Sequence, residues 1–305
     1  MDQATGLRQM VEKEAQYFRG KGAMAIKKAV CTQGESSPRV IVVSSGKGGV
    51  GKTNIVGNLA ITLQRLGKRV LVLDADLGLA NIDIIFGLRP RYTINHVISG
   101  EKSISDVIMS GPEDIRIIPA SSGIHELTHL SEGEKLHLLS EFDSLDSLFD
   151  ILLIDTSAGI SSNVLYFNIA AGERIVVATP EPTSMTDAYA LIKVLHTKHG
   201  TDSFGMLVNM VSGADEAASV YKNVSAAVSR FLSGISFDYL GFIPTDEMCK
   251  KAVRQQRALV QLYPEAASSK SILRLARSLL EQPRNNSVSD GNIKFFWRKM
   301  VSSCQ

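Results

Sequence analysis

Six short apolar runs, rich in Val and Ile, recur along the middle of the chain. They cover residues 40–43, 70–73, 151–154, 175–178, 206–208 and 240–243. Apolar and polar residues do not alternate within these runs, which is typical of strands buried on both faces of a parallel sheet. The segments between the runs have helical length and spacing, as at residues 54–66 and 188–199. This order predicts an α/β fold in which helices cover both faces of a mostly parallel central sheet.

Polar segments divide the chain into three parts. Residues 1–38 are mixed polar and end in Gln-Gly-Glu-Ser-Ser-Pro, which predicts an N-terminal arm and a linker. Residues 39–282 carry the alternating pattern and form the predicted main domain. Residues 283–305 comprise a second linker, rich in Asn and Ser, and a short aromatic and basic tail.

Composition narrows the class of protein. A chain of 305 residues, of which 44% are hydrophobic, can bury a core without disulfides. The 33 Lys and Arg residues nearly balance the 31 Asp and Glu residues, and the net charge of +2 argues against binding to nucleic acid by bulk charge alone. Cys31, Cys249 and Cys304 form no CxxC pair, which favours a reducing compartment. Since the sequence shows neither a signal peptide nor a membrane-spanning run, we expect a cytoplasmic protein. From the charge balance we expect no direct nucleic-acid binding.

A glycine-rich loop follows the first predicted strand. Residues 46–53 read Gly-Lys-Gly-Gly-Val-Gly-Lys-Thr and fit the phosphate-binding pattern G-x-x-x-x-G-K-[ST]. The backbone N–H groups of such a loop surround phosphate, Lys52 adds a positive charge near the β and γ phosphates, and Thr53 offers a hydroxyl to Mg²⁺. The predicted nucleotide contacts here are Gly48, Gly49, Val50, Gly51, Lys52, Thr53 and Asn54.

Carboxylates follow two of the predicted strands. Asp74 and Asp76 come after the strand at 70–73, and Asp155 comes after the strand at 151–154. The carboxyl ends of parallel strands face the ligand crevice. Carboxylates placed there hold Mg²⁺, partly through water, or orient a nucleophilic water. The sequence therefore predicts a magnesium–nucleotide site at this edge of the sheet.

The extra lysine in the loop, Lys47, gives a more specific indication. The segment from Lys47 to Thr53 resembles the deviant Walker A loop of MinD/ParA-type ATPases. The resemblance implies ATP hydrolysis to ADP and phosphate by a homodimer that forms around ATP, with Lys47 reaching the partner's nucleotide. It implies that Asp76 positions the attacking water, that Asp155 supports the Mg²⁺ shell and that Asp74 lies in the same network. Ser157 departs from the family, which usually has Pro or Gly at this position.

The same resemblance indicates which residues contact the nucleotide base. Asn209 ends one predicted strand, and Pro244 and Asp246 lie at the end of the last one. In the family, an asparagine at this place and the backbone after the proline contact adenine. Asn209, Pro244 and Asp246 are therefore the predicted base-binding residues.

Two further segments resemble the flagellar branch of this family, called FlhG, FleN or YlxH. Residues 180–189 resemble its Pro-Glu-Pro-Thr segment, and residues 76–83 look like the switch I of MinD. Residues 2–8 fit D-Q-A-x-x-L-R, the element by which that branch stimulates its GTPase partner FlhF. The contact residues implied are Asp2, Gln3, Ala4, Leu7 and Arg8. The implied role is control of flagellar number and placement through FlhF, the flagellar switch (C-ring) proteins and a flagellar transcription activator.

The C-terminal tail has the pattern of an amphipathic helix. Its apolar residues fall on one helical face, and basic residues flank that face. The apolar residues are Ile293, Phe296, Trp297 and Met300, and the basic residues are Lys294, Arg298 and Lys299. This composition suits an anionic lipid surface, and two tails in a dimer would bind more firmly than one. We expect peripheral binding to the inner face of the cell membrane in the ATP state; a tail packed on its own domain is the alternative.

Other classes of protein would show different features. A division-site MinD would lack the element at residues 2–8, and a ParA-type partition ATPase would bind DNA in an ATP-dependent and salt-dependent way. The absence of a CxxC pair disfavours an iron–sulfur carrier. Residues 125–129 read His-Glu-Leu-Thr-His and match the zinc metalloprotease pattern, with His137 as a possible third ligand. We set the protease aside because the metalloprotease spacing fails and the segment lies in a connection of an NTPase fold.

Overall fold

An eight-stranded sheet runs through the described part of the protein. The computed structural model describes residues 38–76, 81–119, 131–143, 145 and 148–281. The strands are β1 (Arg39–Ser45), β2 (Val70–Ala75), β3 (Met109–Ser110), β4 (Arg116–Ile118), β5 (Ile151–Ala158), β6 (Glu173–Ala178), β7 (Ser203–Val211) and β8 (Ser236–Pro244). Their order in the sheet is β3-β4-β2-β5-β1-β6-β7-β8. Of these neighbouring pairs, β3–β4 is antiparallel and the others are parallel.

All six predicted strands are present, and β3 and β4 were not predicted. These two strands have only two and three residues, too few for an apolar run to stand out. Their pairing adds an antiparallel hairpin to the edge of the sheet. The predicted α/β class, with a mostly parallel sheet, is confirmed.

Helices connect the strands. They are α1 (Lys52–Arg65), α2 (Ile82–Phe86), α3 (Ile94–Ile98), α4 (Ile104–Val107), α5 (Glu132–Asp143), α6 (Ser162–Ala170), α7 (Pro182–His199), α8 (Ala214–Phe231), α9 (Glu247–Arg254), α10 (Leu259–Leu262) and α11 (Ala267–Glu281). The helix predicted at 188–199 begins earlier, with Pro182 in its first turn, where a missing N–H costs nothing. None of the helices in the described residues is long and apolar enough to cross a membrane.

Both faces of the sheet are covered, as the uninterrupted apolar runs require. Ile41 and Val43 of β1 pack into a core that includes residues of α1 and α11. Val40 and Val42 point the other way, into a second core that includes Phe142 of α5. All four strand residues are almost fully buried. Because successive residues of a strand face opposite sides, burial of both sets leaves the ends of the strands as the place for polar chemistry.

Candidate active site

The phosphate loop joins β1 to α1 and is shaped by glycine. Gly51 lies just before α1 with φ +91°, in the left-handed region that glycine favours. A Cβ at Gly51 would lie 2.5 Å from the amide nitrogen of Asn209, so only glycine fits between the loop and β7. Among the residues that the structure describes, no side chain caps the first turn of α1. Its backbone N–H groups are therefore available to an anion, and the helix dipole favours one there.

The loop lysine is buried and tethered to the strand. Lys52 is 8% exposed, and its ammonium donates a hydrogen bond to Ser45 Oγ at 2.9 Å. Ser45 Oγ in turn donates to the carbonyl oxygen of Lys47 at 2.7 Å. Burial lowers the pKa of Lys52, whereas the carboxylates of Asp155 and Asp76 oppose this by stabilising its charge. The arrangement holds a positive charge at the point where the motif predicts the phosphates.

Asp155 lies within β5, which continues to Ala158 instead of ending before Asp155 as predicted, and pairs with Asp74 of β2. Its surroundings show whether the site suits Mg²⁺. The residue is fully buried, and neither carboxylate oxygen has a hydrogen-bond partner among the described residues. Burial, with repulsion from Asp74, raises the pKa of Asp155 to about 8, while the nearby Thr53 hydroxyl and Lys52 ammonium oppose the rise. A divalent cation would supply the opposite charge and the missing ligation. A hydroxyl and a carboxylate are also the oxygen donors that Mg²⁺ prefers, so these residues fit the ion.

The described residues contain no group of three or more His, Cys, Asp or Glu side chains that could hold a metal ion. This suits Mg²⁺, which keeps several waters and is commonly bound by one or two carboxylates together with phosphate oxygens.

Asp74, at the end of β2, holds backbone on both sides of the segment at 77–80. Its Oδ1 accepts a hydrogen bond from the Asp76 N–H at 3.1 Å. Its Oδ2 accepts from the N–H groups of Asn81 at 3.1 Å and Ile82 at 3.2 Å. Burial raises the pKa of Asp74 to about 6 against the effect of these hydrogen bonds. The predicted part of Asp74 in the magnesium network stays a prediction, and the observed contacts fix the backbone around Asp76.

Asp76 lies in the same cluster. Its negative charge acts on the pKa of Lys52, Asp74 and Asp155, so it is close to all three. Half-buried at the carboxyl end of β2, Asp76 lies where the resemblance requires a water-orienting carboxylate. Its catalytic role stays a prediction.

The ammonium of Lys47 contacts the segment 180–189, which the sequence indicated only through its resemblance to the flagellar branch. Its ammonium pairs with the carboxylate of Glu181 and donates to Thr183 Oγ1 at 3.0 Å. Both partners lie where β6 passes into α7, and this connection packs against the phosphate loop. A Cβ at Gly46 would lie 2.2 Å from the backbone of Asp187. Glu181, Thr183 and Ser45 are site residues that the sequence analysis missed, although residues 180–189 were singled out.

A pocket of about 200 Å³ lies beside the loop, next to α1. Its lining includes Gly51, Asn54, Asn58, Asn209, Met210, Ile243, Pro244, Thr245, Asp246, Cys249, Ser268 and Ile272. The three predicted base-binding residues are thus together, and the loop residues Gly51 and Asn54 lie with them. Cys249, Asn58 and Ser268 were not predicted. They come from α9, α1 and α11, which no local motif relates to a nucleotide.

Two of the predicted base-binding side chains contact backbone. Asn209 donates from Nδ2 to the carbonyl oxygen of Val50 at 2.7 Å, so it ties β7 to the phosphate loop. Asp246 accepts from the N–H of Met248 at 2.9 Å through Oδ1 and from the N–H of Ser268 at 3.1 Å through Oδ2. These contacts fix the walls of the pocket.

The predicted terminal sites lie outside the described residues. This applies to the arm residues Asp2, Gln3, Ala4, Leu7 and Arg8, and to the tail residues Ile293, Lys294, Phe296, Trp297, Arg298, Lys299 and Met300. It applies also to the metalloprotease-like segment at 125–129.

Comparison with known proteins places the chain in a family. The family model described as an AAA domain matches residues 38–202. The antiactivator FleN of Pseudomonas aeruginosa is 41% identical over 263 residues, which cover 86% of this chain and 93% of FleN. The flagellum site-determining protein YlxH of Helicobacter pylori is 31% identical over 269 residues, 88% of this chain and 91% of YlxH.

Solved structures agree. The cell division ATPase MinD of Pyrococcus furiosus aligns with a TM-score of 0.64 at 26% identity, over 79% of this chain and 98% of MinD. MinD of Pyrococcus horikoshii, solved with Mg-ADP, aligns with a TM-score of 0.65 at 25% identity, over 80% of this chain and 96% of that one. Together with the phosphate loop, the second lysine and the paired strand-end carboxylates, these likenesses show that the chain belongs to the MinD/ParA-type P-loop ATPases, in the flagellar branch that includes FleN and YlxH.

Proposed function

We propose that the protein is a nucleotide-controlled switch that dimerises around two ATP molecules, binds the membrane in that state and controls flagellar number and placement. The observation that carries the ATP site is the fully buried carboxylate of Asp155 beside Lys52 and Thr53. The names of the relatives, an antiactivator and a flagellum site-determining protein, support the flagellar output.

Different residues have different roles in ATP hydrolysis. The loop N–H groups and Lys52 hold the phosphates, and Thr53 and Asp155 hold Mg²⁺, the carboxylate partly through water. Bound there, Mg²⁺ would neutralise charge on the phosphate oxygens. Asp76 orients the attacking water in line with the γ-phosphate, and Asp74 fixes the backbone on which Asp76 lies. Replacing Asp76 with alanine should leave ATP binding intact, slow hydrolysis and trap the ATP dimer.

The pocket between β7, β8 and α1 is the proposed adenine site. It adjoins the phosphate loop at Gly51, and most of its accessible wall is apolar, as in base sites. Cys249 gives a direct test because it is one of the residues that line the pocket. ADP should protect Cys249 from alkylation by N-ethylmaleimide, measured by peptide mass spectrometry, with Cys31 and Cys304 as internal references. Unchanged labelling of Cys249 at saturating ADP would place the base elsewhere.

Lys47 connects the site to dimerisation. In the described chain its ammonium lies against Glu181 and Thr183. We propose that it leaves these partners and reaches the nucleotide of a second copy when ATP is bound. Light scattering with ATP against ADP tests this directly, because a mass that stays monomeric in ATP for both the wild type and Asp76→Ala would refute the switch.

Membrane and partner binding belong to the two ends of the chain. Deletion of residues 292–305 should abolish ATP-dependent binding to anionic liposomes and leave dimerisation unchanged. Deletion of residues 2–8 should abolish stimulation of FlhF GTP hydrolysis and leave the ATPase unchanged. Retained liposome binding, or retained stimulation, would contradict the corresponding assignment. ATP-dependent binding to nonspecific DNA, falling steeply with salt, would favour a partition ATPase instead.

A further inference from the structure

Ser268, in the first turn of α11, joins the helix to the loop that follows β8. Its hydroxyl donates to the carbonyl oxygen of Pro244 at 2.9 Å. Its backbone N–H donates to Asp246 Oδ2 at 3.1 Å. The residue is 2% exposed and lines the pocket proposed for adenine. One residue therefore holds both ends of the segment 244–246, called the loop here, which runs from the last residue of β8 to the residue before α9.

The helix behind Ser268 is a rigid support. Ile272, Leu275 and Ala276 of α11 are buried in the same core as residues of α1 and β1. The loop itself is more exposed: Pro244 and Asp246 are half-buried, and Thr245 is exposed. Because a helix anchored in the core moves less than a surface loop, the two hydrogen bonds of Ser268 set the position of the loop relative to the pocket.

The position of this loop decides which base fits. Adenine presents an amino donor at position 6, whereas guanine presents a carbonyl acceptor there. A loop of backbone donors and acceptors distinguishes these two edges only when its groups are fixed. We infer that Ser268 is a positioning residue for base recognition, which holds residues 244–246 so that the site favours adenine over guanine nucleotides. This inference rests on the pocket being the base site, as proposed above.

A neighbouring serine provides a matched control. Ser269 is 4% exposed and donates from its hydroxyl to the carbonyl oxygen of Tyr263 at 2.7 Å. Alanine at either position thus removes one buried side-chain hydrogen bond from the same turn of α11. Ser269 and Tyr263 do not line the pocket. If Ser268 had a purely structural role, the two alanine variants would show the same ratio of ADP affinity to GDP affinity.

The test compares ADP and GDP affinities of the full chain by calorimetry or by competition. Ser268→Ala should weaken ADP about 2- to 12-fold, the range for one neutral hydrogen bond, and leave GDP unchanged. KM for ATP should rise while kcat stays the same, since Ser268 does not contact the phosphate site. Ser268→Thr keeps the hydroxyl and should restore the ADP to GDP ratio. Ser269→Ala should keep the ratio of the wild type.

The failures of the two proposals are distinguishable. If ADP protects Cys249 from alkylation and Ser268→Ala keeps the ratio of Ser269→Ala, the positioning role is refuted and the base site stands. If ADP does not protect Cys249, the base site itself is wrong and this inference is overturned with it. Should the alanine variant not fold, Ser268→Cys gives the same comparison because a thiol nearly preserves the volume and donates weakly.

Discussion

Replacing Glu181 with alanine removes the carboxylate that holds the Lys47 ammonium in its own chain. The side chains of Lys47 and Glu181 are 36% and 62% exposed, so the pair belongs to the weak class of surface ion pairs. Such a pair contributes about 0.2–1 kcal/mol. Because the proposed ATP dimer draws Lys47 away from Glu181 in both protomers, the gain on removing the pair counts twice. The gain in dimerisation free energy is therefore about 0.4–2 kcal/mol for the two pairs together. We expect the ATP dimer to form about 2- to 30-fold more tightly.

The dimer dissociation constant, measured by analytical ultracentrifugation with ATP and Mg²⁺, checks this. Asp76→Ala in all proteins keeps ATP unhydrolysed during the run. The matched control is Glu265→Ala, which removes another exposed glutamate from its own ion pair, with Lys270 at 2.9 Å, and should leave dimerisation unchanged. Raising the salt concentration should reduce the difference between Glu181→Ala and the wild type, since salt screens exposed pairs. Weaker dimerisation in Glu181→Ala would refute the reasoning, because Glu181 would then contribute to the dimer itself.

Three further predictions concern stability and the loop. Without Mg²⁺ and nucleotide, stability should fall as pH rises from about 4 to about 8, because the raised pKa of Asp155 makes the folded state bind more protons over that range. Asp155→Asn should flatten this part of a pH-dependent urea denaturation series; an unchanged slope would contradict the assignment. Gly51→Ala should abolish ADP binding in calorimetry, since its Cβ would collide with Asn209 at a φ of +91°. Gly67→Ala is the control, because its φ is +82° but the space around its Cβ is open. Asn58→Ala should lower the free energy of unfolding by about 1–3 kcal/mol, since the buried N–H of Val260 loses its acceptor at 3.0 Å.

The sequence predicted the central strands and the place of the glycine-rich loop between the first strand and the first helix, for physical reasons. A strand covered on both faces must be apolar at every position, so β1 and β5 appear as uninterrupted runs. The loop must bring N–H groups to one anion, which leaves a recognisable spacing of glycines before Lys52. Neither constraint acts on β3 and β4, whose pairing depends on neighbours distant in the chain. Ser268 could not be predicted for the same reason, because its contacts form only when α11 folds back onto the end of β8.

The positions of the candidate site residues could be predicted from the sequence more easily than the contacts that their side chains make. Asp74, Asn209 and Asp246 were all predicted from motifs, and each lies at the site. Yet the oxygens of Asp74 and Asp246, and the amide nitrogen of Asn209, bond to backbone. A carboxylate or amide at a strand end can bind a ligand or can hold the backbone of a turn, because both tasks use the same donors and acceptors. A sequence motif does not distinguish the two. The sequence specifies the chemical group, and only the fold decides which of the competing partners lies within hydrogen-bond distance. Substitutions at these three positions should therefore change the geometry of the site before they change its charge.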